Sequence, residues 1–185
     1  MKADREKWNR KYREQVFPVS PSRIVREFHH HAKAGRALDL ACGNGRNACF
    51  LSSRGFAVDA VDIAEEGLRR FACRPANINR ICQDLDTFPI PAGRYQIIVN
   101  TRYLLRSLFP AIHNGLSTGG ILIFESYLQE LAPAGTRRFG RDHLLRESEL
   151  CHAFPGLETI AYREGPSRQR DAPSRKASLV AIRRG

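Results

Sequence analysis

The chain has 185 residues, 42% of them hydrophobic, which is enough for one well-buried core and short for two. It contains no run approaching the roughly 18 to 20 apolar residues of a membrane span, and residues 1–15 are too charged for a secretory signal. We therefore expect one soluble, cytoplasmic domain over residues 1–185. The formal net charge of +11 is compatible with nucleic acid, an acidic membrane surface or an anionic substrate, and does not choose among them.

The five cysteines show no C-x-x-C pair and no regular spacing; they are Cys42, Cys49, Cys73, Cys82 and Cys151. This pattern favours free buried thiols over a zinc site or a disulfide framework. The consecutive histidines 29–31 would spread around a helix axis, so we expect a solvated helix end there and no metal site.

The first apolar helical pattern is "SPSRIVREFHHHA". It predicts a helix with Ser20 as N-cap and Pro21 at the first helical position, followed by Ile24, Val25 and Phe28 on one face. Short β-rich runs then alternate mostly with helix-length segments: "RALDLA", "FAVDAVDI", "INRICQ", "YQIIVN" and "GILIFESY". Such alternation predicts an α/β fold with a mostly parallel sheet and helices on both faces.

The last two β-rich runs, "GLETIAYRE" and "KASLVAIRR", have no helix-length run between them. Their connection, "GPSRQRDAPSR", is polar and rich in Pro and Ser, so we expect an exposed loop that joins antiparallel strands. The sheet therefore has seven predicted strands with an antiparallel C-terminal edge.

The turn in "LDLACGNGR" follows the first predicted strand, where open α/β sheets bind ligands. Gly43 and Gly45 permit positive φ and a close approach of ligand to backbone. The residues also satisfy the dinucleotide pattern G-x-G-x-x-A, with the acidic Asp62 about 20 residues on. However, the carboxylate of Asp39 would oppose a pyrophosphate and suit a cation, which favours a ligand that is positively charged at one end.

Two further carboxylates end successive strands. Asp62 can accept hydrogen bonds from the two hydroxyls of a ribose, although a helix N-cap role remains an alternative. Asp84, beside Leu85, can accept from an adenine amino group, and Asp86 could serve instead. Together these positions describe an adenosine that bears an ammonium or sulfonium group. Asp59, inside the second strand, is expected to be a solvated or loop-facing charge.

Three stretches, "LDLACGNGR", "VDAVDIAEEGL" and "CQDLDTFPI", resemble the motifs of class I S-adenosylmethionine-dependent methyltransferases. The stretches "KWNRKYRE", "GRNACFLSSRGF" and "FESY…GTRRFGRDHLLRESELCHAF" resemble the small tellurite-resistance-type, thiopurine-methyltransferase-related branch. The resemblance, from Trp8 to about Tyr162, implies a Rossmann-like fold with a helical cap over residues 1–34 and a core over 36–185. It also implies S-adenosylmethionine as cofactor and S-adenosylhomocysteine as product.

The resemblance further implies a cofactor site made of strand ends and an N-terminal helical cover. Its residues would be Trp8, Tyr12 and Arg13 in the cover, Asp39, Ala41, Gly43 and Gly45 around the methionine part, Asp62 and Ile63 at ribose and adenine, Asp84 and Leu85 at the adenine edge, and Asn100 beside the methionine. Ala41 stands where many members have a glycine.

The segment Asn100-Thr101-Arg102-Tyr103 lacks both prolines of the motif found in nitrogen-methylating members. Because those prolines stiffen a turn that presents carbonyl acceptors, methylation of a nucleobase amino group or a glutamine amide is not indicated. Arg102 could instead hold an anionic acceptor. In-line transfer to a thiolate or a selenium or tellurium oxyanion needs no general base, so the candidate catalytic residues are few: Arg13, Asn100, Arg102 and Tyr103.

The sequence therefore predicts a methyltransferase that acts on a small-molecule acceptor. An RNA-directed methyltransferase is the alternative, motivated by C-terminal cations that could neutralise phosphates: Arg163, Arg168, Arg170, Arg175, Lys176, Arg183 and Arg184. No aromatic residue interleaves with them after Tyr162, so base stacking is not indicated. A nucleotide-binding oxidoreductase is supported only by the G-x-G-x-x-A match.

Overall fold

The computed structural model describes residues 2–71, 73–129, 143–166 and 175–185. The elements follow one another in the order α1 (Lys2–Glu14), α2 (Arg23–Phe28), β1 (Arg36–Leu40), α3 (Arg46–Ser53), β2 (Ala57–Asp62), α4 (Glu65–Arg69), β3 (Ile78–Cys82), β4 (Tyr95–Thr101), α5 (Phe109–Gly115), β5 (Leu116–Tyr127), α6 (Glu149–His152), β6 (Glu158–Pro166) and β7 (Arg175–Ile182). Short 3₁₀ turns cover His29–His31 and Arg106–Leu108.

The strands form one seven-stranded sheet with the order β3-β2-β1-β4-β5-β7-β6. Strands β1 to β5 run parallel, whereas β7 is antiparallel to both β5 and β6. The predicted fold class is therefore confirmed, including the antiparallel C-terminal edge. The carboxyl ends of β1 to β5 meet at one edge of the sheet, and this edge carries the candidate site.

Two hydrophobic clusters cover the two faces of the sheet, which explains why its inner strands are apolar on both sides. On one face, Leu38 and Leu40 of β1 belong to a cluster that includes Ile112 of α5 and Leu150 of α6. On the other face, Ala37 belongs to a cluster that includes residues of α2, α3 and α4. Helices therefore lie on both faces, as predicted.

The start of the second helix differs from the prediction. The helix begins at Arg23, and its N-cap is Ser22 rather than Ser20. The hydroxyl of Ser22 does not cap the helix, because it accepts a hydrogen bond from Arg46 Nη2 at 2.7 Å. Pro21 consequently precedes the N-cap instead of opening the first turn.

The expectation of free buried thiols is wrong for four of the five cysteines. Cys49 and Cys73 form a disulfide with a Cα–Cα distance of 5.9 Å across a sequence separation of 24. The fold brings them together because Cys49 lies on α3 and Cys73 lies shortly after α4. Cys82 and Cys151 are free but exposed, and only Cys42 is a free buried thiol.

Asp59 is also not a solvated charge, because it lies in an internal strand and is only 4% exposed. The hydroxyl of Tyr95 donates to its carboxylate at 3.0 Å. The guanidinium groups of Arg36 and Arg94 lie 3.4 and 3.9 Å from the same carboxylate. These donors come from neighbouring strands, so Asp59 belongs to a buried polar network near the amino ends of the strands.

Three other expectations concern regions or features away from the sheet. The predicted loop between β6 and β7 lies mostly at residues 167–174, outside the described residues. Within the described part of the chain, no helix has the length and apolar character to cross a membrane. The same residues contain no cluster of three or more His, Cys, Asp or Glu side chains suited to a metal ion.

Candidate active site

A left-handed turn connects β1 to α3 and forms the centre of the candidate site. Three of its residues have positive φ: Ala41 at 50°, Gly43 at 57° and Gly45 at 71°. Glycine adopts this conformation without penalty, whereas an alanine there costs on the order of 1 to 2 kcal/mol. The turn is therefore maintained by contacts that outweigh the strain at Ala41.

The carboxylate of Asp62, at the end of β2, provides two of those contacts. Its Oδ2 accepts a hydrogen bond from the Gly43 amide at 2.8 Å, and its Oδ1 accepts one from the Ala64 amide at 2.8 Å. Helix α4 begins at Glu65 with Ala64 as N-cap, so the N-cap role weighed for Asp62 is wrong. Burial raises the pKa of Asp62, and the amide hydrogen bonds act in the opposite direction.

Asp39, at the end of β1, lies beneath the turn and is 1% exposed. Its Oδ2 accepts a hydrogen bond from the Ala48 amide at 3.0 Å, but its Oδ1 has no hydrogen-bond partner among the described residues. Burial raises the pKa of Asp39 to about 7, against the opposing charge of Arg46. A buried carboxylate oxygen without a partner is costly in the protein alone and suits a donor supplied by a ligand.

Tyr12 of α1 lies against the turn. Its hydroxyl lies where a side chain at Gly43 would begin, and its ring also contacts Gly67 of α4. The Tyr12 ring stacks near Phe17, with ring centroids 4.3 Å apart, and near Trp8, at 6.4 Å. Tyr12 therefore contacts the turn, and Trp8 lies beside Tyr12.

Arg13 points to a different partner. Its guanidinium lies 3.5 Å from Glu66 of α4, and its side chain is 56% exposed. The Glu66 amide in turn donates to Asn9 Oδ1 at 3.0 Å, and Arg70 donates to the Arg13 carbonyl at 3.2 Å. Arg13 thus joins α1 to α4 and does not contact the glycine turn.

Gly45 contacts a side chain that the sequence did not indicate. The space where its Cβ would stand is filled by the ring of Phe71, which is 5% exposed. A glycine is therefore needed at position 45 to make room for the Phe71 ring, besides the predicted approach of a ligand to the backbone. Phe71 lies in an unpatterned segment after α4, so no periodicity signalled this role.

The residues expected at the adenine edge occupy the end of β3. Asp84 Oδ1 accepts a hydrogen bond from the Asp86 amide at 3.1 Å and so closes a turn. Leu85 is 5% exposed and belongs to the core, whereas Ile63 is half-buried. Burial raises the pKa of Tyr103, and the charges of Asp86 and Asp84 raise it further.

The end of β4 forms a second strained turn. The Asn100 side chain, 1% exposed, donates to the Tyr103 carbonyl at 2.8 Å. Arg102 has a positive φ of 63°, and its amide donates to the Glu125 carbonyl at 2.7 Å. The Asn47 side chain of α3 donates to Thr101 Oγ1 at 3.0 Å. This turn therefore connects the glycine turn to the end of β5.

The sequence did not single out three charged residues near this turn: Arg46, Glu125 and, as a site residue, Lys176. Burial lowers the pKa of Arg46, and the charge of Arg102 lowers it further, while Asp39 and Glu125 raise it. One signal was available for Glu125, because it interrupts an otherwise apolar strand at its carboxyl end. Lys176 was hidden in a basic C-terminal stretch.

The described C-terminal cations proposed for RNA binding have partners within the chain. Arg163 pairs with Glu27 at 3.4 Å, Arg175 with Glu147 at 2.6 Å and Arg184 with Glu158 at 2.9 Å. Arg183 donates to the Leu116 carbonyl at 2.6 Å. Lys176 is 8% exposed, so its assignment as a solvent-facing phosphate contact is wrong. Arg168 and Arg170 lie outside the described residues.

Comparison with known proteins starts from the sequence. Residues 37–120 match the sequence model of a methyltransferase domain. Over this segment the chain is similar to a methyltransferase domain. The matched segment includes Asp39, Asp62, Asp84, Asn100 and Arg102. The predictions of a methyltransferase and of S-adenosylmethionine as its cofactor are confirmed, because the match is to a methyltransferase domain and a similar structure was solved with S-adenosyl-L-methionine.

Solved structures support the fold of the methyltransferase domain. TehB from Haemophilus influenzae has a TM-score of 0.73 at 19% identity, over 97% of this chain and 67% of that one. A SAM-dependent methyltransferase from Methanosarcina mazei has a TM-score of 0.68 at 16% identity, over 92% and 99%. Phosphoethanolamine N-methyltransferase 2 from Haemonchus contortus, solved with S-adenosyl-L-methionine, has a TM-score of 0.74 at 14% identity, over 96% and 56%. No curated protein sequence matches the chain significantly.

Proposed function

We propose that this chain transfers the methyl group of S-adenosylmethionine to a small, anionic acceptor such as a thiolate or a selenium or tellurium oxyanion. The observation that carries the cofactor assignment is Asp39. Its buried Oδ1 lacks a hydrogen-bond partner among the described residues and lies under a glycine turn at a strand end. An ammonium group from the methionine part of the cofactor would supply the missing donor.

The remaining cofactor residues follow the strand ends in order. Ala41, Gly43 and Gly45 would present the turn to the methionine part, with Asn100 beside it. Asp62 and Ile63 would bind ribose and adenine, and Asp84 and Leu85 the adenine edge. Each Asp62 oxygen accepts one backbone hydrogen bond in the protein and retains a lone pair for a ribose hydroxyl.

The N-terminal helix would close this site. Trp8 and Tyr12 would cover the cofactor, and the ion pair of Arg13 with Glu66 would keep α1 in place. Residues 1–34 would then act as a cap on the core formed by residues 36–185, within a single domain. Exclusion of water by such a cap favours a transfer in which charge on the donor disperses.

The bound cofactor supplies an electrophilic methyl group, and the protein aligns the acceptor with it. Arg102 and Tyr103, on the strained turn after β4, are the candidates to contact the acceptor, and Asn100 would hold that turn through the Tyr103 carbonyl. A thiolate or oxyanion attacks without a general base, so alignment and desolvation would provide most of the rate enhancement. Arg102 supports an anionic acceptor because a guanidinium binds carboxylates and oxyanions through paired hydrogen bonds.

The finer family assignment is also a proposal. The helical segment "KWNRKYRE" includes Tyr12, which contacts Gly43, and TehB from Haemophilus influenzae shares the fold over 97% of this chain. Both observations support the tellurite-resistance-type branch.

Calorimetric titration tests the cofactor assignment. Wild type and Asp62→Ala would be titrated with S-adenosylmethionine, S-adenosylhomocysteine and a reduced nicotinamide dinucleotide. Loss of a charged contact should weaken binding of the first two by about ten- to a hundredfold. Glu158→Ala removes an exposed carboxylate at the opposite edge of the sheet and should leave both affinities unchanged. No binding of either compound by wild type would refute the assignment.

A further inference from the structure

Lys176 and Glu125 form a largely buried ion pair that no predicted role explains. The ammonium nitrogen of Lys176 lies 3.0 Å from Glu125 Oε1, and the two side chains are 9% and 18% exposed. The same nitrogen lies 5.4 Å from the ring centroid of Tyr127. Lys176 pairs with Tyr127 in the register of β7 and β5, so the ion pair lies at the carboxyl end of β5.

The positive charges of Arg102 and Arg46 affect the pKa of Lys176. Burial lowers the pKa of Lys176, Glu125 raises it, and the positive charges of Arg102 and Arg46 lower it further. The Arg102 amide donates to the Glu125 carbonyl, so the turn after β4 lies next to the residue that pairs with Lys176.

Stability alone explains this arrangement poorly. Removing two charges from water costs several kcal/mol per ion, and a well-packed apolar pair of similar size often stabilises a fold as much or more. Lys176 lies on β7, where Ala177, Leu179 and Val180 are apolar and buried. A buried lysine at the ligand-binding edge of the sheet is better explained by a negatively charged partner that binds there.

We infer that Lys176, oriented by Glu125, is a specificity-determining residue that recognises a negatively charged group on the methyl acceptor, together with Arg102. This inference rests on the proposed function and deepens it. The Glu125 carboxylate accepts a hydrogen bond from the Lys176 ammonium and so fixes the direction of the lysine side chain. The acceptor atom that receives the methyl group would then be set by its distance from that charge.

The test uses two thiols that differ in one group. Mercaptoacetate carries a carboxylate, and 2-mercaptoethanol carries a neutral hydroxyl. Each would be titrated calorimetrically into the protein saturated with S-adenosylhomocysteine. Wild type should prefer mercaptoacetate, and Lys176→Met should lose at least tenfold of that preference. Glu125→Gln should increase the preference, because the amide oxygen still accepts from the ammonium and orients it while the competing negative charge is removed.

Arg175→Met is the matched control, because Arg175 is the adjacent cation on β7 and pairs with the exposed Glu147. It should leave the preference unchanged. If Lys176→Met does not fold, Glu125→Gln decides, since a purely structural ion pair would lose stability without gaining affinity for the anion.

Three results would overturn the inference. One is equal binding of the two thiols by wild type. Another is a fall in mercaptoacetate affinity for Glu125→Gln. The third is a loss of S-adenosylhomocysteine affinity in Lys176→Met with the thiol preference intact, which would assign the lysine to the cofactor carboxylate. Failure of S-adenosylhomocysteine to bind wild type would instead refute the proposed function.

Discussion

The phenol of Tyr12 fills the space next to the α-carbon of Gly43, so the cover and the glycine turn are in direct contact. The two residues come from α1 and from the turn after β1, and the Gly43 amide is held from the other side by Asp62. A change at Gly43 therefore alters the cover as well as the turn.

Gly43→Ala should weaken S-adenosylhomocysteine binding by more than tenfold, because the added methyl group displaces the Tyr12 hydroxyl and α1 with it. Gly93→Ala is the matched control. Gly93 has a similar φ of 64°, but no atom lies within 4 Å of the added methyl group. It should cost about 1 kcal/mol of stability and leave affinity unchanged. The explanation fails if both variants bind equally well, or if Tyr12→Phe does not partly restore binding to Gly43→Ala.

Asp39 should make the stability of the protein depend on pH. Its pKa is raised to about 7 in the fold by burial, whereas an unfolded aspartate titrates near pH 4. Between those values the folded chain holds a proton that the unfolded chain releases, so this group lowers stability as pH rises through the window. Asp39→Asn should remove this loss. Urea unfolding of both proteins should show a difference that grows from about pH 4 to about pH 7 and then levels off. A difference that is constant with pH would contradict this account.

Reduction of the Cys49–Cys73 disulfide should lower the free energy of unfolding by about 3 kcal/mol, because the bond closes a loop in the unfolded chain. Denaturant unfolding with and without a dithiol reductant measures this difference. The double variant Cys49→Ser/Cys73→Ser should be insensitive to the reductant. Cys151→Ser, which changes an exposed free thiol, should keep the full sensitivity. If the wild-type midpoint does not move on reduction, the disulfide contributes nothing to stability.

Ala41→Gly should stabilise the protein by up to about 1 kcal/mol, since Ala41 has a φ of 50° and glycine adopts this conformation without strain. Ala32→Gly provides the control, because Ala32 has an ordinary φ of −87° and gains only chain entropy when unfolded. Thermal unfolding should therefore show opposite shifts for the two variants. A lower midpoint for Ala41→Gly would mean that the methyl group makes contacts worth more than the strain.

Much of the sheet was predictable, because strands such as β1 and β4 are short apolar runs bounded by turn residues. The candidate site residues at the ends of β1, β2 and β3 were also predictable, because a carboxylate at the end of an apolar run is easily recognised in the sequence. Asp59 was not, because its donors Arg36, Arg94 and Tyr95 come from other strands. The Cys49–Cys73 contact likewise depends on how α3 packs beside the end of α4.

The residues around Lys176 were the hardest part of the candidate site to predict from the sequence. Lys176 lies in a stretch with other cations, and the sequence alone does not reveal that its strand inserts between β5 and β6. Only that insertion places its ammonium group beside Glu125. Phe71, which packs on Gly45, was missed because a single aromatic residue in a connecting segment has no periodicity to read.

The insertion of β7 between β5 and β6 also orders events during synthesis. The strands that carry Asp39, Asp62 and Asp84 are neighbours made early, and they can pair while the ribosome is still adding residues. Strand β6 emerges before β7 but has no place on the sheet until β7 has joined β5. A nascent chain should thus form the sheet edge that carries Asp39 and Asp62 first and bring Lys176 beside Glu125 only after Arg175–Ile182 has left the exit tunnel.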